Sequence, residues 1–119
     1  MNGTFTLPKK ERLSSKNAIS DLLKKGRWGK VNTLRYCFLE NNGKDVNRIM
    51  VSVPKKLFKR AIKRNLLKRR IRENYRIRKH LLGNTSGVDI MFVYNAKEVC
   101  DFQTIGADIE TILTKLNNG

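Results

Sequence analysis

The spacing of apolar residues along the chain switches between helical and strand-like periods, and each switch marks an element. After a basic lead-in over residues 1–13, Ser14 or Ser15 is placed to cap a helix that carries Ala18, Ile19, Leu22 and Leu23 at helical spacing, with Gly26 as its stop. Residues 27–33 read as a loop. Leu34–Leu39 and Arg48–Val53 alternate as strands do, and the turn-rich Asn41-Asn-Gly-Lys-Asp45 between them predicts an antiparallel hairpin. Beyond Pro54 the period turns helical from about Phe58 to Leu82, and Gly83-Asn-Thr-Ser-Gly87 breaks it. Val88–Tyr94 is rich in β-branched and aromatic residues and predicts a further strand. Phe102, Ile105, Ile109, Ile112, Leu113 and Leu116 share one face of a closing helix, with Asp101 as its N-cap.

The order helix, hairpin, helix, strand, helix predicts an α+β fold, a two-layer sandwich of helices on a small sheet. A chain of 119 residues is one domain's worth of material, so residues 1–119 are expected to share one core. The start of the chain lacks the apolar run of a signal peptide, and no stretch is long enough to span a bilayer. Cys37 and Cys100 have no second Cys or His at ligand spacing, so reduced thiols are expected, with neither disulfide nor zinc. These features place the chain in the cytoplasm.

Charge changes the picture most. The formal net charge is +16. So basic a domain repels itself, and an anionic partner is the usual compensation, nucleic acid before a membrane surface. The excess is local. Thirteen of the 26 Lys and Arg lie between Lys55 and Lys79, where Glu73 is the sole acid. After residue 87 Asp89, Glu98, Asp101, Asp108 and Glu110 outnumber Lys97 and Lys115.

On a helical projection Asn65, Arg69, Arg72 and Arg76 fall within about 60° of one another, flanked by Lys68 and Lys79, while Leu67, Ile71, Tyr75 and Leu82 gather opposite. A merely solvated helix would more usually interleave Glu with Lys. Phosphate is the natural counter-charge for such a stripe, because a guanidinium grips it through two hydrogen bonds. Asn65 has poor helix propensity, and its amide is expected to hydrogen-bond either RNA or neighbouring backbone.

Ser52-Val-Pro-Lys-Lys56, followed by Arg64-Asn65, Lys68-Arg69 and Arg72 on the helix, resembles the signature of bacterial ribonuclease P proteins. The resemblance runs over roughly residues 7–116. It implies a mixed sheet in which the long helix joins parallel strands by a left-handed βαβ crossover, against the usual hand. It also implies the role of protein subunit to a catalytic RNA that cleaves precursor tRNA at its mature 5′ end, one protein per holoenzyme. The implied RNA-binding residues are Lys55, Lys56, Arg60, Lys63, Arg64, Asn65, Lys68, Arg69, Arg72 and Arg76. A cleft between the sheet and the first helix would hold the single-stranded 5′ leader.

The chain departs from the family pattern in three places. Leu66 stands where a second Arg is common, which removes a phosphate contact or moves it to Arg70. Phe58-Lys59-Arg60 replaces a small Gly-Asn turn. Ile19 and Leu23 stand where the first helix often carries aromatics, so stacking would fall to Tyr36 or Phe38, which share a strand face that is either cleft or core. Trp28, in the segment read as a loop, is open to two readings, simple loop packing, which is favoured, or a further stacking platform for RNA.

No catalytic constellation is visible in the polypeptide. His80 stands alone, the acids are scattered away from the basic stripe, and no nucleophile, metal or phosphate-loop motif occurs. No catalytic or metal-binding residue is therefore assigned, and the Mg²⁺ that the holoenzyme needs is assigned to its RNA. A ribosomal or ribosome-assembly protein would share the size and charge; a DNA-binding module or a membrane-surface protein fits the pattern less well.

Overall fold

The computed structural model describes residues 7–118, so the basic lead-in is seen from Leu7 onward and residues 1–6 lie outside the described part. A 3-10 turn, Lys9–Glu11, precedes helix α1, Lys16–Lys25, whose cap is Ser15: its Oγ accepts the Ala18 N–H at 3.4 Å. Gly26 ends α1, and a Cβ there would lie 2.5 Å from Cys37 Sγ. The glycine is needed for the close approach of helix end to sheet, not for a left-handed turn.

Four strands form one sheet: β1, Arg27–Lys30; β2, Leu34–Leu39; β3, Arg48–Ser52; and β4, Asp89–Tyr94. Their order is β1-β2-β4-β3, with β2 antiparallel to both β1 and β4, and β3 parallel to β4. Two expectations are corrected here. Residues 27–30 are an edge strand rather than loop, paired residue for residue with β2. The hairpin of β2 with β3 does not form, because β4 lies between them. An apolar run such as Ile90-Met-Phe-Val-Tyr94 gains most where both its faces are covered, and the sheet centre is that place.

Helix α2, Ala61–Arg78, with a 3-10 extension Lys79–Leu82, connects the parallel neighbours β3 and β4, and α3, Phe102–Asn118, closes the chain. Side-chain alternation divides the sheet into two faces. Leu34, Tyr36, Ile49, Ile90, Phe92 and Tyr94 point to the face covered by α2 and α3, where they meet Leu67, Ile71, Tyr75, Ile105, Ile109 and Ile112. Cys37 and Met91 point to the other face, where Leu13 and Leu22 join them under α1. Sheet and α2–α3 make the expected two layers, and α1 adds partial cover behind.

Polar groups pin these layers. Asn74, fully buried on α2, donates to the carbonyls of Arg70 at 2.9 Å and Phe102 at 3.0 Å. Gly106 of α3 lies against it, and a Cβ there would sit 2.6 Å from Asn74 Oδ1. Asp101 caps α3 by accepting the Thr104 N–H at 2.8 Å, and bonding to Thr104 holds its carboxyl below the ordinary value. Asp108, buried on α3, accepts both the backbone N–H (2.9 Å) and the hydroxyl of Thr33, and so ties the β1–β2 turn to the helix.

Replacing Asp108 with Ala strands the buried Thr33 N–H. Hydrogen bonds to a charged group are worth about 1.5–3 kcal/mol, so a loss of about 2 kcal/mol in urea unfolding is expected. An unchanged midpoint would show that water replaces both bonds without penalty.

Candidate nucleic-acid interface

The face of α2 turned from the core is set by its buried positions, Leu67, Ile71, Asn74 and Tyr75. Asn65, Arg69 and Arg72 are accordingly exposed, and Lys68 and Arg76 are half-buried at the margins of the stripe. Lys55 and Lys56, in the turn after β3, are exposed, as are Arg60 and Lys63 around the start of the helix. Asn65 makes no side-chain hydrogen bond to the described residues. Of its two readings, the pin to neighbouring backbone is absent; Asn74, which carries no sequence signal of its own, does that work.

Several arginines serve the fold instead of facing outward. Arg64 Nη1 donates to the carbonyls of Phe58 at 2.7 Å and Lys59 at 2.8 Å, closing the Phe58-Lys59-Arg60 segment before α2. Phe58 itself is buried, its ring 5.8 Å from that of Tyr94. Arg70 Nη1 donates to the Cys100 carbonyl at 2.6 Å, ahead of α3. That nitrogen of Arg70, the residue expected to take over from the Arg that Leu66 replaces, is thus committed to the fold. Lys79 pairs with Glu11 at 2.9 Å and fastens the N-terminal turn to the end of the helix. Arg72 has the Arg12 charge beside it: desolvation, and then Arg12, lower its pKa, though a guanidinium stays charged.

The second feature is a groove on the α1 face of the sheet. Strand register places Trp28, Cys37, Met91 and Met50 in one row across it, and Lys30, Arg35, Val93 and Ser52 in the next. Leu22 covers Cys37 and Met91 in the first row, with Ile19 packed half-buried beside them, but the second row stays open. Leu23 is 48% exposed and Trp28 45% exposed, and the Arg35 guanidinium lies 4.8 Å from the Trp28 ring centroid.

Tyr36 and Phe38 are not in this groove. Both point to the opposite face, where their rings lie 6.3 Å apart and Tyr36 is 5% exposed. Their shared strand face is core, and it is Trp28 that stands toward α1. The reason is the edge strand: once residues 27–30 pair with β2, Trp28 lies opposite Cys37, and Gly29 leaves room for the Tyr36 ring. Only Ile19 and Leu23, of the four expected cleft residues, lie on the α1 side.

His80 is exposed on the 3-10 extension. Among the described residues no three His, Cys, Asp or Glu side chains come together as metal ligands, and no helix is long and apolar enough to cross a membrane. Cys37 and Cys100 are both free; burial raises the pKa of the Cys37 thiol, which donates to the Leu22 carbonyl at 3.4 Å.

The family model described as Ribonuclease P matches residues 7–117. The "Ribonuclease P protein component" of Porphyromonas gingivalis strain W83 is 34% identical over 120 residues, covering 95% of this chain and 88% of that protein. Among solved structures, the RNase P protein from Thermotoga maritima superposes with a TM-score of 0.76 at 28% identity, over 88% of this chain and 96% of that one. The Staphylococcus aureus RNase P protein gives 0.73 at 25% identity, over 88% and 94%.

The different uses of neighbouring arginines can be separated experimentally. Arg70→Ala is expected to lower stability by about 1 kcal/mol or more in urea while leaving the salt dependence of binding to structured RNA unchanged. The Arg69→Ala/Arg72→Ala pair should hold the urea midpoint and flatten the salt slope by about 1 to 2. A salt slope that responds to Arg70 and not to the pair would reverse the assignment.

Proposed function

Because the chain belongs to the bacterial ribonuclease P protein family, we propose that its exposed α2 stripe docks on the catalytic RNA while the groove under α1 holds the 5′ leader of precursor tRNA. As the protein subunit of this ribonucleoprotein, the chain is part of an endoribonuclease that matures tRNA 5′ ends, with the RNA subunit as its partner.

The observation that carries the groove assignment is the Trp28–Arg35 pair. An unstacked base needs a flat apolar surface, and the phosphate beside it needs a cation. Trp28 supplies the first on its exposed face; Arg35, with Lys30 in the same row, supplies the second. Ile19 and Leu23 form the apolar wall opposite. Such a site recognises a strand by its unpaired state rather than its sequence, as a leader of variable sequence requires.

On α2, Asn65, Arg69 and Arg72 meet phosphates, with Lys55, Lys56, Arg60 and Lys63 extending the contact past the start of the helix. Arg64, Lys68 and Arg76 stand at its margins; Arg64 also holds the segment before the helix in place. The chemistry of strand scission lies with the RNA and the Mg²⁺ it collects. The protein places positive charge among crowded phosphates, so the complex needs less Mg²⁺ to assemble. One copy per holoenzyme, acting in the cytoplasm, completes the reading.

Reconstitution at low Mg²⁺ tests this reading. A 5′-labelled precursor tRNA incubated with a bacterial ribonuclease P RNA and this protein together should be cut at the mature 5′ end; neither component alone should cut it under those conditions. Cleavage by the protein alone would reveal an active site in the polypeptide. Within the same assay, Trp28→Ala is expected to weaken precursor binding by about 1–3 kcal/mol, the value of one stacked base, and to leave mature tRNA binding unchanged. Equal losses for both RNAs would assign Trp28 to packing.

A further inference from the structure

A second group of cations gathers outside α2, and the sequence motifs do not include it. The N-terminal 3-10 turn and the loop before β3 enclose an open pocket of about 380 Å³, lined by Lys9, Lys10, Arg12, Lys44, Asp45 and Arg48. Its volume lies within the range of small-ligand sites.

The pocket walls are held in place. Asn42 donates to the Val46 carbonyl at 3.1 Å and to Asp89 at 2.8 Å, and accepts the Lys44 N–H at 2.7 Å, so the loop carrying Lys44 is closed on itself and tied to β4. Gly87, at φ +77°, lies close beneath: a Cβ there would come within 3.0 Å of the Lys44 carbonyl. On the other wall, Leu13 N–H donates to the Ile49 carbonyl at 2.8 Å, which lays the N-terminal segment along the outer edge of β3. Arg12 donates to the Leu7 carbonyl at 2.9 Å, and Glu11 pairs with Lys79.

The charges in this frame are unbalanced. Arg48 is already neutralised by Asp89, in a two-pronged pair at 2.9 Å. Lys9, Lys10 and Lys44 make no ion pair or side-chain hydrogen bond with the described residues, and Asp45 is the only acid lining the pocket. Arg12 opposes Ile49, whose side chain faces α2, and its charge is felt at Arg72. Arg12 thus both lines the pocket and stands on the sheet face that α2 covers. The pocket also lies at the β3 edge, across the whole sheet from Trp28 on β1.

We propose that this pocket holds a backbone phosphate of the same catalytic RNA that lies along α2, carrying the contact around the outer edge of β3. The proposal rests on the reading of α2 as the RNA-docking surface. The phosphate is assigned to that RNA rather than to the leader because the Trp28–Arg35 pair, which carries the leader assignment, sits toward the opposite edge of the sheet. Lys10 and Lys44, reaching from the two walls, close on the phosphate oxygens as point charges, while Arg12 bridges toward Arg72.

The test is the salt dependence of binding between the full chain and a bacterial ribonuclease P RNA. Lys10→Ala/Lys44→Ala is expected to weaken binding about tenfold at physiological salt and to lower the salt slope by about 1. The charge-matched Lys97→Ala/Lys115→Ala pair, on exposed positions elsewhere, should leave the slope unchanged. Asp45→Asn, which removes the only acid from the pocket, should tighten binding. Circular dichroism of each variant confirms the fold. If the pocket pair behaves like the control pair while Arg69→Ala/Arg72→Ala still weakens binding, the pocket proposal is overturned and the α2 reading stands. If neither set alters binding, both fall. A pocket pair that loses affinity only for precursor tRNA, with the catalytic RNA held as before, would move the phosphate to the leader and overturn the proposal as well.

Discussion

Strand β4 is hydrogen-bonded along both edges and sits between two hydrophobic clusters that fill opposite faces of the sheet. Ile90 and Phe92 feed the cluster under α2 and α3, and Met91 feeds the one under α1. Asp89 at its start anchors Arg48 and Asn42; the Tyr94 hydroxyl at its end donates to the Glu98 carbonyl and accepts the Cys100 N–H. Each functional element is therefore positioned through the same six residues: α2 from one side, α1 from the other, the pocket loop from one end and the approach to α3 from the other. Such a strand has to be recruited from a distance. Its pairing with β3 spans the whole of α2, and its pairing with β2 a still longer stretch, so both are contacts of the long-range kind that slow folding.

Helix α2 is held in place against its own charge. Like charges three and four residues apart each disfavour an isolated helix by a few tenths of a kcal/mol. Burial of Leu67, Ile71 and Tyr75, each worth about 1.5–3 kcal/mol, outweighs that repulsion. Arg64 and Arg70 help by turning donors toward main-chain carbonyls. What remains outward is the repulsion between Arg69 and Arg72, with Arg12 added from the N-terminal segment. A phosphate bound there, as proposed, would relieve it and so link RNA affinity to protein stability through the same residues.

Most of the element order was legible because periodic apolar spacing reports burial directly. Leu22, Leu67, Ile71, Ile109 and Ile112 all lie where helical spacing put them. What escaped had no local signal. Arg27-Trp-Gly-Lys30 has no apolar alternation, since it is an edge strand exposed over much of its length, and only its partner makes it a strand. That omission misplaced the aromatics: without β1, nothing in the sequence shows that Tyr36 faces the core and Trp28 the groove. The β2–β3 hairpin failed for a related reason, since turn-rich residues between two strands look the same whether the strands pair or are parted by a third. The division of labour between Arg70 and Arg72, and between Asn65 and Asn74, depends on the distant carbonyls of Cys100 and Phe102, which no spacing rule reaches.

The sheet also separates two surfaces. Helix α2 lies on one face and the Trp28–Arg35 groove on the other, with a tightly packed interior between them. Close-packed interiors transmit displacement rather than absorb it. The thickness of this protein is therefore a length standard. If, as proposed, one RNA is gripped on each side, the core would fix how far the leader sits from the strand along α2, and with it the register at which the substrate meets the catalytic RNA. A buried substitution at Ile90 or Phe92, remote from either RNA, would then show itself as a displaced cut site before it showed itself as weaker binding.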